Sequence, residues 1–151
     1  MFHFPLQPLL NHRRHVEEEL QKEMAVVQQQ LDGERQRADA LCRSLVNHRQ
    51  QLDSMQRNGD HAGNLLMMVR HLGHLASEVS RQEEMLRRAA QRVEEKRSDL
   101  IEAVKQRKVI EKLKEKAKQA YQDEASKKEM RLINEIAIGR YNRAQREASD
   151  S

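Results

Sequence analysis

In the second half of the chain, apolar residues recur every seventh position at Leu65, Leu72, Val79, Leu86, Val93 and Leu100, with Val69, Ala76, Ala90 and Val104 four places behind members of that series. A seven-residue apolar repeat is the mark of a helix that packs along one seam against another helix. No proline lies between Leu65 and Ala144, and the glycines inside it, Gly73 and Gly139, cost a helix only about 1 kcal/mol each relative to alanine. The pattern predicts one helix over about 65–144.

A second tract runs through Leu20, Met24, Val27, Leu31, Glu34, Ala38, Leu41, Leu45, His48, Leu52 and Met55 in alternating steps of three and four. Glu34 and His48 break it with polar side chains, which suits the edge of a two-helix seam and helps to fix register. Pro5 and Pro8 are tolerable only at a helix start, so the first helix is predicted over about 6–57. Between the tracts, residues 58–64 hold Asn58, Gly59, Asp60, Gly63 and Asn64, a turn composition. Asn58 or Gly59 would end the first helix in a left-handed conformation and Asn64 would cap the second.

The predicted fold is therefore all-α: an antiparallel two-helix coiled-coil hairpin with the second helix longer than the first. Residues 1–151 form one elongated domain in this reading, with a frayed tail over 147–151. With the turn centred near Asp60, facing residue numbers sum to about 121, so that Leu31 meets Ala90, Val27 meets Val93, Leu41 meets Val79 and Leu52 meets Val69. The same register sets Glu17, Glu18, Glu19 and Glu23 beside Arg97, Lys105 and Arg107. The second helix outruns the first by roughly 30 residues, from about Lys116 onward, and an unpaired helix of that size needs a partner for its order.

Composition agrees: Leu, Ala, Glu, Lys and Arg make up about half of the chain, and Trp and Thr are absent. With apolar residues spread as a thin seam, no enclosed active-site cavity is expected. No glycine-rich phosphate loop and no nucleophile elbow is present, so the protein is not expected to be an enzyme or to hold a cofactor. His12 with His15 and His71 with His74 are pairs without further ligands, and no metal site is expected. One cysteine, Cys42, and the lack of a secretory signal point to the cytoplasm. No segment is apolar enough to insert into a membrane.

Two stretches depart from a plain solvated coil. Lys105, Arg107, Lys108, Lys112, Lys114, Lys116 and Lys118 face only Glu111 and Glu115, although the whole chain carries just +4. Such a stretch is either a helix face neutralised by its own glutamates or a docking surface for an acidic partner; nucleic acid is disfavoured because aromatic residues do not interleave the lysines. The run Leu65, Leu66, Met67, Met68, Val69 encircles a helix, so a two-stranded seam cannot cover it all. With Leu75 it is either an apolar patch near the turn, suited to a protein contact, or a crowded turn over which Leu52 and Met55 fold.

The opening Phe2-His3-Phe4-Pro5-Leu6-Gln7-Pro8-Leu9-Leu10-Asn11-His12-Arg13, with Glu17-Glu18 behind it, resembles that of FliJ-type flagellar export proteins. So does the run from Lys108 to Lys116 with Tyr121, Glu124 and Glu129 behind it. The resemblance covers essentially the whole chain. It implies a non-catalytic component of the flagellar type III protein export apparatus, a stalk that binds the export ATPase ring, promotes its assembly and activity, couples it to the export-gate membrane protein and escorts export chaperones. It implies a place in the cytoplasm, peripheral to the membrane at the flagellar base. The ATPase-facing residues would be Arg13, Arg14, Glu17, Glu18, Lys108, Glu111, Lys112, Lys114 and Tyr121, and the gate contact Leu66, Met68 and Leu75. The competing readings are a generic coiled-coil adaptor and the equivalent stalk of a virulence type III secretion system.

Overall fold

A computed structural model describes residues 1–150. Two helices account for nearly all of them, α1 over Gln7–Arg57 and α2 over Ala62–Ser149, packed together as an antiparallel hairpin. Of the segment expected to fray, α2 takes in the part up to Ser149, and Ser151 lies outside the described residues. The helices are shared between two compact units, one formed by Val16–Ala103 and the other by Met1–His15 with Val104–Ser151.

In the Val16–Ala103 unit the α1 track holds throughout. Every residue from Leu20 to Met55 in the three-four series is buried or half-buried, Glu34 and His48 included. On α2 the seven-residue series also holds, but its second track lies three places behind it and not four. Met68, Leu75, Gln82, Ala89, Lys96 and Ala103 turn inward, whereas Val69, Ala76 and Ala90 are exposed. Leu31 accordingly packs with Ala89 and Val93, and Met24, Val27 and Leu86 close around them; the expected partner Ala90 points to solvent. Both tracks alternate steps of three and four with the seven-residue series, so spacing alone does not choose between them; the inward one carries the polar partners of the α1 seam, Gln82 against Glu34 and Lys96 against Glu23. Alanines at 89 and 103, each about 5% exposed or less, let the two backbones approach closely there.

Polar residues in the seam are matched across it. Gln82 Nε2 donates to the Glu34 carbonyl at 3.2 Å and to the Glu34 carboxylate. The His48 ring meets that of His71 edge-on with centroids 4.7 Å apart. Glu23 pairs with Lys96 at 2.7 Å, while Arg97, expected opposite the glutamates, pairs along its own helix with Glu94. The Glu23 carboxylate holds the Lys96 ammonium above its ordinary pKa, chiefly through their hydrogen bond. These pairs lie within a few residues of the expected register.

The turn is a Schellman motif. Gly59 N–H donates to Gln56 O at 3.3 Å and Asp60 N–H to Met55 O at 3.0 Å, and Gly59 takes φ of 65°, which glycine adopts without a Cβ clash. The N-terminal cap of α2 is His61 and not Asn64. His61 O accepts from Leu65 N–H at 3.1 Å, and His61 Nδ1 accepts from Gly63 N–H at 3.1 Å. The imidazole thus supplies the acceptor expected from an asparagine, and α2 starts early enough to place Asn64 in its first turn.

Leu75 and Val69 give the clearest test of the inner track. Leu75→Ala should cost about 2 kcal/mol or more, as for a buried leucine, and Val69→Ala no more than about 0.5 kcal/mol. Thermal or urea unfolding followed by circular dichroism measures both.

Candidate functional site

The Met1–His15 with Val104–Ser151 unit carries most of the residues that the sequence singles out. Before α1 begins, the chain makes a turn at Pro5-Leu6, with Gln7 N–H donating to Phe4 O at 3.1 Å. This tucks Phe4 to 7% exposure, and Leu10, one turn into α1, is fully buried. The N-terminal segment reaches α2 at Tyr121. The Phe2 ring lies 5.7 Å from the Tyr121 ring at a tilt of 54°, and the Met1 ammonium donates to the Tyr121 hydroxyl at 3.0 Å. Phe2, Phe4 and Pro8 line a shallow depression that also takes in Lys114.

About two helical turns into α1 lies a charged cluster. Arg13 Nη1 donates to Gln106 Oε1 at 2.5 Å. Glu111 receives Arg107 at 2.8 Å and Arg14 at 3.6 Å. The Arg107 hydrogen bond is the main reason that the Glu111 carboxyl sits below its ordinary pKa; partial burial opposes it, and the Arg107 and Arg14 charges add to the lowering. The arginines therefore occupy the glutamate that the neighbouring lysines would otherwise use. Lys105, Lys108, Lys112 and Lys116 make no ion pair among the described residues and are all exposed.

Arg13, Arg14, Glu111, Lys114 and Tyr121 thus belong to one unit, while Lys108 and Lys112 lie on its outer face. Glu17 and Glu18 belong to the Val16–Ala103 unit, Glu17 half-buried and Glu18 exposed. Of the apolar candidates near the turn, Leu66 is 54% exposed and Met68 half-buried. Leu75 is a correction: at 6% exposure it belongs to the seam and is closed to any partner. Met67 and Val69, at 70% and 50%, accompany Leu66 at the surface.

Beyond Tyr121 every described residue of α2 is exposed. Met130, Ile133, Ala137, Tyr141 and Ala144 continue at steps of three and four, about half a turn round the helix from Ile110, Lys114, Ala117 and Tyr121, the face turned towards α1. Met130, Ile133 and Tyr141 are 52–63% exposed. The stripe changes phase relative to the seam, so extending the seven-residue series from Leu65 does not reveal it; following the three-four spacing afresh from Met130 does.

A family model described as Flagellar FliJ protein matches residues 2–146. The chain belongs to the FliJ family. No curated protein and no solved structure matches it. Family membership gives the chain a role in flagellar protein export and associates it with the export apparatus; the family is a non-enzymatic component of that system. No helix among the described residues is long and apolar enough to cross a membrane.

Because the Glu111 pKa is depressed in the folded chain, the stability that this carboxylate contributes is present above the unfolded carboxylate range and is lost as pH falls through the lower folded value. Glu111→Gln should lower stability near neutral pH by under about 1 kcal/mol and flatten the acid limb of the stability profile. Urea midpoints from pH 3 to 7 for both proteins provide the comparison.

Proposed function

We propose that this FliJ-family chain is a non-catalytic stalk of the flagellar export apparatus. It binds the export ATPase ring through the unit that holds both chain ends, promotes the ring's assembly and activity, and couples it to the export gate. The observation that carries this reading is the stretch of α2 beyond Tyr121. It has the exposed stripe Met130, Ile133, Ala137, Tyr141 and Ala144, in which the Tyr141 hydroxyl accepts a hydrogen bond from Gln145 one turn on. A helix of that length exposing half of several large apolar side chains gains order and stability from a partner that covers it.

Arg14, Glu111 and Tyr121 act in this reading by fixing the N-terminal segment on α2, which sets where the covered part of α2 ends. Arg13 and Lys114 hold the same junction. Lys108 and Lys112 meet the ring directly, and Glu17 and Glu18, in the Val16–Ala103 unit, offer the ring a separate acidic contact on α1. The gate contact falls to Leu66 and the neighbouring Met67 and Met68 beside the turn. Chaperone escort would use the same unpartnered helix when the ring does not hold it, and attachment to the membrane would be indirect, through those partners.

Charged substitutions in the stripe separate partner binding from folding, because the wild-type side chains are exposed and Tyr141 meets Gln145 of its own helix rather than α1. Ile133→Asp with Tyr141→Asp should leave thermal unfolding unchanged within about 0.5 kcal/mol. The double variant should lose most stimulation of ATP turnover in a reconstituted mixture with the export ATPase. Full stimulation by a folded variant would count against the stalk reading.

A further inference from the structure

We propose that Lys105, Lys108, Lys112 and Lys116 form a recognition stripe for an acidic, amphipathic helix on the ATPase ring; this rests on the ring-binding reading above and names the chemistry of the surface that meets α2. The lysines follow one another at steps of three, four and four. On a helix of 3.6 residues per turn these steps keep them on one face over roughly 16 Å, opposite the residues that pack towards α1.

The face is unsatisfied within the chain. Glu111 is held by Arg107 and Arg14, and none of the four lysines forms an ion pair among the described residues. Val109 and Leu113 run beside the lysines on one side, 58% and 45% exposed. A complementary surface presents carboxylates roughly 5–6 Å apart with an apolar strip alongside, which is what Asp and Glu at three-four spacing on an amphipathic helix provide.

A bilayer fits this face less well. A helix lying in a membrane interface places its apolar side chains centrally, with lysines at both edges reaching outward to the headgroups. Here Lys105, Lys112 and Lys116 occupy the centre, Val109 and Leu113 lie to one side only, and exposed Glu115 lies on the other, where an anionic surface would repel it.

The test compares the full chain with two variants, one with all four lysines changed to Glu and one with all four changed to Gln. Each is titrated against the purified ATPase ring from 50 to 500 mM salt, with helicity checked by circular dichroism. The wild-type affinity should fall with salt, the Gln variant should bind about tenfold or more weakly at low salt and lose most of the salt dependence, and the Glu variant should bind more weakly still. Wild-type-like binding by both variants, or a salt-independent wild-type affinity, overturns the acidic-helix inference while leaving ring binding intact. Absence of ring binding by the wild-type chain at every salt concentration overturns the ring reading beneath it. Vesicles containing anionic phospholipid serve as the second arm. Retention on them that both variants lose, with ring affinity unchanged, assigns the stripe to a membrane and also overturns the proposal.

Discussion

A seam between two helices covers one face of each and leaves the rest of each helix to water. In Val16–Ala103 that single face holds the core: Leu31, Ala89 and Val93 with Met24, Val27 and Leu86 around them. Because so few side chains are fully enclosed, specificity depends on polar groups placed within the seam as much as on apolar ones. Gln82 on Glu34, His71 on His48 and Lys96 on Glu23 each match a polar position on α1 with one on α2. A shift of one residue would separate all three pairs and turn Leu75 outward.

The same constraint explains the division of labour among charges. Arginines serve the inside of the N-terminal junction, where their forked donors can hold Gln106 and share Glu111. Lys105, Lys108, Lys112 and Lys116 lie outside, exposed, where they cost the fold little and leave charge available to a partner.

The fold was legible in the sequence because the α1 track keeps its three-four spacing from Leu20 to Met55, through Glu34 and His48, and the series from Leu65 to Leu100 is strictly seven-residue. The second α2 track was not, since Val69, Ala76, Ala90 and Val104 look more apolar on paper than a track containing Gln82 and Lys96. Apolar character favoured the wrong neighbour, whereas the inward track is the one whose Gln82 and Lys96 meet Glu34 and Glu23 on α1. For the same reason Leu75, offered as a surface residue, is a seam residue. His61 escaped notice as a cap because imidazole is an uncommon substitute for Asn or Ser. Of the candidate site, the basic run was visible from composition, but its separation into arginines that hold the fold and lysines that do not required the positions of Arg14 and Glu111 in space.

In the proposed reading, the part of α2 beyond Tyr121 is what links the fold to flagellar export. Hydrogen exchange of the full chain, free and bound to the export ATPase ring, tests that link most directly. The account predicts that amides over 122–149 exchange rapidly in the free protein and become strongly protected on binding, while those around Leu31, Leu75 and Val93 change little. Equal exchange over 122–149 in the two states, with binding verified, would contradict it.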